Sequence, residues 1–365
     1  MFDKLNIFIF KRFLVSFLLV LITLSVILFV GDFVEQFRKS TSKNVPINII
    51  FQLTALNFPS LIFFTLPIIT FFSSIIAYLI LIRNSEKIII GSMGMSNIKL
   101  SVPSIILYVT VGIFFVFVAN PLLTIFEEKY SELEYKYIDK VDKFASITKN
   151  GLWLKQENEA KNLSSVLYAK TIQNQGKNLI DFMVLEYDDQ GAFQGRLDGQ
   201  NAELNDGFWL MSNTQISPKY GKSIYEKNLK YETNIKLEDI TDSLSSPSSI
   251  PIWRLITFIN FLESLGYSAI DFKMHFYNLM FLPLYLAGLS LLASSLVINL
   301  KQNDKYTLTI TYSFILIFII YFLSNLLDAL GSTGQLHPMI AKCTVPLAVI
   351  MLSSGIFYYS RINKS

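Results

Sequence analysis

The sequence has little of what most enzymes and secreted scaffolds depend on. It holds one cysteine, Cys343, and two histidines among 365 residues, which excludes a disulfide framework and gives no metal-type spacing. A formal charge of +3 gives no reason to expect nucleic acid as a partner. The nearest match to an ATP-binding loop, Gly221-Lys222-Ser223, has Ile216 where the first glycine belongs. With no paired acids or activated nucleophile, we predict no catalytic residue, no metal and no cofactor.

Charged residues are scarce over most of the chain and ordinary in one segment. Residues 122–273 carry 17 basic and 22 acidic side chains in 152 positions, whereas the other 213 positions hold 20 charges. These proportions are about 26% and about 9%, and only the first is near that of soluble domains. The distribution predicts a membrane protein with one soluble insert.

The charge-free stretches predict six membrane-spanning helices, because a helix needs about 20 apolar residues to cross the hydrocarbon core. They are 13–31, 44–82, 100–126, 274–300, 306–327 and 343–360. The second is too long for one span. Its crossing is therefore predicted from about 56 to 82, after an external loop that runs through Pro46.

Basic residues in the short loops predict the orientation, because Lys and Arg resist translocation. With the N-terminus inside, three basic residues lie in the external loop after the first span. Ten lie on the cytoplasmic side: Lys4, Lys11, Arg12, Arg83, Lys87, Lys99, Lys301, Lys305, Arg361 and Lys364. We therefore expect both termini in the cytoplasm and the insert outside it.

The insert divides into a helical beginning and a β region. Residues 122–143 read as a helix that continues outward from the third span. From 151 to about 240, short alternating runs separated by turn pairs such as Gln190-Gly191 predict an antiparallel β domain. A helical apolar stripe after residue 250 predicts a helix at the membrane surface. The predicted domains are thus 1–121, 122–250 and 251–365.

The cytoplasmic loop RNSEKIIIGSMGMSNIK is too apolar for a simple connector. Ser85 is expected to cap a short helix that Gly91 and Gly94 end. Exposed apolar residues on the cytoplasmic side indicate a docking partner, and a helix lying in the lipid headgroups is the alternative.

Basic side chains also lie outside, against the general trend. Arg38, Lys39 and Lys43 follow the first span, at a depth that suits an anionic headgroup, with ordinary interfacial snorkelling as the alternative. Lys129 and Lys136 fall on one face of the helix after the third span, where a solvated, ion-paired face is the alternative.

The order of spans and insert, with four local strings, resembles the LptF/LptG family of lipopolysaccharide export permeases. The strings are FVEQFRK, RNSEKIIIGSMGMS, NGLWLK and FLSNLLDALGSTGQLHP, and they are closer to LptG than to LptF. The resemblance implies an α-helical inner-membrane protein with six transmembrane helices and an inserted all-β, jellyroll-like periplasmic domain. It also implies lipopolysaccharide as substrate and four kinds of partner: an LptF-like permease in a heterodimer, an LptB-like ATPase dimer that binds the ATP, and LptC-like and LptA-like bridge proteins.

The resemblance also implies roles for individual residues. The segment 85–96 matches the family's coupling helix, which sits in a groove of the ATPase, with Ser85, Glu86, Ile89 and Gly94 as the expected contacts. Arg38 and Lys39 match a basic pair that faces lipid phosphates. A third basic position of that patch is Asp32 here, a departure that Lys129 and Lys136 are expected to offset.

An apolar groove is expected to hold the acyl chains during extraction. The predicted lining comes from the first and fifth spans, which the family uses as lateral gates: Phe13, Phe17, Leu21, Phe314, Phe318 and Phe322. For each phenylalanine, lipid contact or packing is the alternative. Asp328 is either intramembrane or a charged helix end at the interface.

The predicted function is that of a non-catalytic permease subunit in an ATP-driven transporter. It extracts lipopolysaccharide from the inner membrane and passes it to a periplasmic bridge. The alternatives are the permease of another ABC system, for lipoprotein release or signalling, and a membrane scaffold that transports nothing.

Overall fold

The fold consists of a helical unit and an inserted unit. The computed structural model describes residues 2–43, 45–93, 96–139, 145–148, 151–158, 163–173, 177–188, 190–205, 207–233, 247–264, 268–297, 300 and 306–362. The helical unit comprises Met1–Leu133 and Ile270–Ser365, and the inserted unit comprises Glu134–Ala269. These boundaries lie 12 and 19 residues beyond the positions 121 and 250 expected from the sequence, because the third span continues as one helix.

The six predicted membrane-spanning helices are confirmed. The helices are α1 (Phe2–Ser40), α2 (Ile47–Arg83), α3 (Glu86–Ser92), α4 (Asn97–Phe114), α5 (Asn120–Glu134), α6 (Ile252–Ser264), α7 (Ile270–Val297), α8 (Tyr306–Ser332) and α9 (Pro338–Ile362). The π-helical turn Phe115–Ala119 joins α4 to α5, so these two make a single span. A second π-helical turn, Tyr135–Asp139, follows α5, and 3-10 turns occupy Thr41–Lys43 and Pro247–Ser249.

The second span begins earlier than predicted. α2 starts at Ile47, not near residue 56, and Pro46 immediately precedes it. The Pro46 carbonyl accepts hydrogen bonds from the backbone N–H groups of Ile49 and Ile50, at 3.0 and 3.2 Å. Proline suits a helix start because its φ is already helical and the missing N–H would have had no partner there. The residue that was assigned to the end of a loop therefore starts the helix.

Burial separates the inner helices from the edge helices. In their most apolar windows, 61% of α2 and 61% of α7 is buried, compared with 22% of α1 and 17% of α8. α2 and α7 pack against each other, and each also contacts further spans. α1 packs on α2 and α4, whereas α8 packs on α7 and α9. The subunit therefore leaves large apolar faces open on α1 and α8.

Hydroxyl groups join the inner helices where they approach closely. The Oγ atoms of Ser101 on α4 and Ser294 on α7 lie 2.6 Å apart, and Ser290 donates to the Oγ of Ser104 at 3.0 Å. Tyr108 on α4 meets the hydroxyl of Ser73 on α2 at 2.8 Å. Small hydroxyl residues allow helices to pack closely in lipid, where no hydrophobic force drives their association.

Gly112 of α4 is the tightest of these contacts, and it supports a prediction. A Cβ built on Gly112 would lie 2.6 Å from the Cα of Pro283 on α7. We expect Gly112→Ala to destabilise the helical unit by about 1–3 kcal/mol, the usual cost of overpacking. Thermal aggregation of the detergent-purified protein measures the effect.

The matched control is Gly355→Ala in α9, where a Cβ would meet nothing within 4 Å. Alanine favours a helix by up to about 1 kcal/mol over glycine, so this variant should be neutral or slightly stabilised. Equal stability of the two variants would contradict the packing account.

The inserted unit contains the predicted all-β domain. Its strands are β1 (Ala145–Thr148), β2 (Gly151–Asn158), β3 (Leu163–Gln173), β4 (Asn178–Asp188), β5 (Phe193–Asn205), β6 (Phe208–Pro218) and β7 (Ile224–Glu232). They form one antiparallel sheet in chain order, so the described strands follow a meander without Greek-key crossovers. Short turns explain this order, because each strand pairs with the one that its turn brings alongside.

The β4–β5 turn shows how the sequence sets this pairing. The carboxylate of Asp188 accepts from the backbone N–H groups of Ala192 and Gln190, at 2.8 and 3.0 Å, and from the side chain of Gln194 at 2.7 Å. The Ala192 bond is the main reason that the pKa of Asp188 lies below its ordinary value. Gly191 adopts φ +77°, which a residue with a side chain rarely does. The predicted Gln190-Gly191 turn is therefore confirmed.

One face of the sheet is covered by apolar packing. Leu154, Val184, Leu197, Trp209 and Met211 are each at most 3% exposed, and buried positions alternate with more exposed ones along β4. The period of two seen in the sequence is the period of a half-buried strand. Helix α6 is amphipathic in a similar way, with Leu255 and Leu262 buried and Trp253 exposed.

Candidate functional site

Two ends of the helical unit carry the predicted functional residues. We call the end that holds Leu133 and Ile270, where the inserted unit joins, the outer end. The opposite end, which holds α3, is the inner end.

At the inner end, the helix α3 is fastened to two other elements. Nη2 of Arg12 on α1 lies 2.5 Å from Oε1 of Glu86, and the amide of Asn84 donates to the same oxygen at 3.2 Å. The side chain of Glu86 is only 17% exposed. Lys87 donates to the backbone carbonyl of Leu300, beyond the end of α7, at 3.2 Å. A force on α3 is therefore carried to α1 and to the end of α7.

The open side of α3 is apolar. Ile88 is 66% exposed, Ile89 is 54% exposed and Met93 is 42% exposed, whereas Ile90 is buried. This arrangement supports the predicted position of Ile89 on a docking face. Glu86 is instead turned toward Arg12, although the resemblance implied a contact with the ATPase for it.

The ends of α3 differ from the sequence prediction. Ser85 precedes the helix with φ 60°, and its side chain makes no capping hydrogen bond, so the predicted cap is wrong. The Ser85 carbonyl accepts from Ile88 and Ile89 and starts the helix. Gly91 lies inside the last turn, and Gly94 lies outside the described residues. A local Ser-x-x pattern cannot distinguish a capping side chain from a left-handed backbone turn.

At the outer end, polar side chains join α1 to its neighbours. Asn57 on α2 donates to Oδ1 of Asp32 at 2.8 Å, and Gln36 donates to the hydroxyl of Tyr130 on α5 at 3.0 Å. Gln36 is 1% exposed and Tyr130 is 9% exposed. Asp32, which replaces a basic position of the family, thus makes a helix contact in this chain.

The predicted basic residues fall in two places. Arg38 makes a two-point ion pair with Glu35, at 2.6 and 2.9 Å, and is largely exposed beside Lys39. Lys129 is exposed on α5, next to the Tyr130 that contacts α1. Lys136 belongs to the inserted unit, where its ammonium lies 5.4 Å from the ring centre of Tyr137. Arg38, Lys39 and Lys129 therefore share the outer end of the helical unit.

The predicted groove residues of α1 do not share one environment. Phe13 is fully buried with its ring 4.8 Å from that of Tyr78, and Phe17 is 6% exposed beside Tyr108 at 5.9 Å. Both fill the contact of α1 with α2 and α4, so they do not lie on an open face of this subunit, in contrast to the expectation. Leu21 is half-buried. The open face of α1 is formed by residues more than 40% exposed: Val15, Leu18, Leu19, Ile22 and Val26.

The predicted groove residues of α8 do lie on an open face. Phe314 is 57% exposed, Phe318 is 68% exposed and Phe322 is 58% exposed. Their spacing of four residues places them along one side of the helix. Contact of these rings with acyl chains stays a prediction.

One polar feature of the helical unit was missed in the sequence. Asp328 near the end of α8 pairs with Lys342 near the start of α9, with Nζ and Oδ1 2.7 Å apart. The sequence carried a signal, because the two residues are each seven positions from residue 335 in the connecting turn. Antiparallel helices bring such positions to the same depth, so the search for a partner of Asp328 should have included Lys342.

A family model provides the decisive comparison. The model described as lipopolysaccharide export system permease LptF/LptG matches residues 7–360. The chain belongs to the LptF/LptG family. Among curated proteins the search found no match.

Membership in the LptF/LptG family confirms three predictions. The chain is a permease of lipopolysaccharide transport, its six apolar helices are those of a multi-pass inner-membrane protein, and its β-sheet domain is part of the matched region. The family is a transport permease and works within an export system of several proteins. The match covers LptF and LptG together.

Proposed function

We propose that this LptF/LptG-family chain is the LptG-like half of an ATP-driven permease. It extracts lipopolysaccharide from the inner membrane and passes it to a periplasmic bridge. Its partners are an LptF-like permease, an LptB-like ATPase dimer, and LptC-like and LptA-like bridge proteins. In this arrangement both termini are cytoplasmic and the inserted unit is periplasmic, as the distribution of basic residues supports.

The observation that carries the proposal is the open state of both edge helices. Each buried methylene is worth about 0.8 kcal/mol, so a lipid with several acyl chains leaves the bilayer only if an apolar cavity replaces the surrounding lipid. The packed interior of the subunit leaves no room for such chains. The exposed faces of α1 and α8 offer two walls, and a second permease subunit supplies the others.

The outer basic residues complete this cavity at headgroup depth. Arg38, Lys39 and Lys129 are assigned to the phosphates of the lipid. The Arg38–Glu35 pair is exposed, and exposed pairs are weak, so a phosphate with its higher charge competes for the guanidinium.

The inner end supplies the coupling to ATP. The apolar residues Ile88, Ile89 and Met93 are assigned to a groove of the ATPase. The contacts of Glu86 with α1 and of Lys87 with the end of α7 then transmit its movement to the spans.

A double substitution on α3 tests this docking. We expect Ile88→Asp with Ile89→Asp to lower co-purification of the ATPase at least tenfold, because burying one such side chain is worth about 1.5–3 kcal/mol. Quantitative pull-down from membranes measures it. Ile88→Leu with Ile89→Leu keeps the apolar surface and should bind normally. Normal binding of the aspartate variant would remove α3 from the interface.

The inserted unit passes the lipid onward in this proposal. β7 has β6 on one side, and eight of its nine residues are exposed or partly so on a long edge. An open strand edge pairs with a strand of another sheet through main-chain hydrogen bonds. The bridge proteins are the partners assigned to such an edge.

Reconstitution tests the function as a whole. Proteoliposomes that contain this chain with the second permease and the ATPase should release lipopolysaccharide to a soluble bridge protein only when ATP is present. Omitting this chain should abolish release. Equal release without it, or release of lipoprotein but not of lipopolysaccharide, would overturn the proposal.

A further inference from the structure

We infer that Asp328 and Lys342 form a hydrated ion pair inside the membrane that fixes the rotation of α8, and that they are positioning residues for transport. The use of this rotation in transport rests on the proposed function. The ion pair and its water do not.

The pair lies in a polar cavity among four spans. The cavity has a volume of about 120 Å³ and lies between α2, α7, α8 and α9. Besides the pair, its polar lining residues are Asn278, Tyr285, Tyr321, Ser324 and Asn325. Lys342 is 15% exposed and Asp328 is 33% exposed. A cavity of this size with several hydrogen-bonding walls has room for several water molecules.

The two sides of α8 have opposite character in its outer half. Tyr321, Ser324 and Asp328 face the cavity at spacings of three and four residues, whereas Phe318 and Phe322 face outward. Asp328 is the only charged residue of α8, and Lys342 is the only one in the first 23 residues of α9. Rotation of α8 would place a carboxylate in lipid, which is strongly unfavourable.

The other contacts of α8 do not define its rotation as well. They include ring contacts, with Phe314 4.5 Å from Phe72 and Tyr321 5.9 Å from Phe64. Apolar rings slide past one another at little cost, whereas an ion pair in a low dielectric needs one geometry. The pair therefore keeps Phe318 and Phe322 turned toward the lipid.

Charge exchange tests the pair in the full-length protein co-expressed with its partners. We expect Asp328→Asn and Lys342→Met each to lower ATP-dependent lipopolysaccharide release at least tenfold, per molecule in the membrane. The combination Asp328→Lys with Lys342→Asp should recover at least half of the wild-type rate. Asp271→Asn, the same change at an exposed position of α7, should have no effect. Single variants with wild-type release, or an exchange no better than the single variants, would overturn the positioning role.

Thiol labelling tests the water separately. Cys343 is the only cysteine, so Cys343→Ser gives a clean background. A membrane-impermeant cationic thiosulfonate should label Ser324→Cys in the cavity at least ten times faster than Leu323→Cys, which is 47% exposed on the outward side. Equal labelling would overturn the hydrated cavity.

Failure of the proposed function is distinguishable from failure of this inference. If the wild-type complex released no lipopolysaccharide, the function would fall. The labelling ratio and the thermal stability of the two single variants, their double neutral variant and the exchange would still decide the pair. Additive stability losses in that set would show that the two side chains do not interact.

Discussion

Glu86→Arg is expected to lower ATP-dependent lipopolysaccharide release at least tenfold, and Arg12→Glu in the same chain is expected to restore it. The reason is the 2.5 Å contact of the two side chains at the inner end, where Glu86 is only 17% exposed. Reversing one charge places two cations together in a partly buried site. Loss of such a pair, even discounted for its exposure, exceeds the 1.4 kcal/mol that corresponds to tenfold. Release from proteoliposomes and ATPase co-purification are both measured.

The exchange separates two roles of Glu86. If Glu86 acts by holding α3 on α1, the restored pair recovers both readouts. If Glu86 binds a cation of the ATPase directly, the double variant stays as defective as Glu86→Arg, and the positioning role is wrong. Lys99→Glu, a charge reversal at an exposed position of the same end, is the control and should leave both readouts near wild type.

This pair also shows a limit of prediction from the sequence. Arg12 and Glu86 are 74 residues apart, and each was assigned separately, one to orientation and the other to docking. Local pattern and hydropathy gave the spans that bring the two together. They contain no information on which side chains meet across neighbouring helices.

The phenylalanines show the same limit within the membrane. Phe13 and Phe318 both lie in strongly apolar spans, yet one is fully buried and the other is 68% exposed. In soluble proteins apolar periodicity identifies the packed face, but lipid is as apolar as the interior of a helix bundle. The sequence therefore predicted that α1 and α8 carry apolar faces and could not predict which side of α1 is open.

The polar contacts were predictable to different degrees. The Gln190-Gly191 turn was predicted because its chemistry is local, and the chain-order sheet follows from such turns. Ser85 was misassigned because a left-handed residue and a capping residue share a composition. Asp328 and Lys342 form a contact across one short turn, where counting residues from its centre gives the partner.

The open face of α8 leads to the second large effect. Phe318→Arg is expected to reduce lipopolysaccharide release at least fiftyfold per molecule in the membrane, while Phe318→Leu stays within about twofold. Phe318 lies near the middle of α8, where an arginine costs about 2.5–3.5 kcal/mol in an apolar environment. In the proposed cavity that cost is added to the step that transfers acyl chains from lipid to protein.

Met351→Arg distinguishes this loss from poor insertion. Met351 is 72% exposed near the middle of α9, so its arginine has a comparable insertion cost but lies on a helix that is not assigned to the cavity. Both variants should reach the membrane in similarly reduced amounts, and only Phe318→Arg should lose release per inserted molecule. An equal loss in both would mean that any arginine at that depth disables the protein. The exposed phenylalanines of α8 would then be ordinary lipid-facing residues, and the cavity wall would have to be sought on the open face of α1.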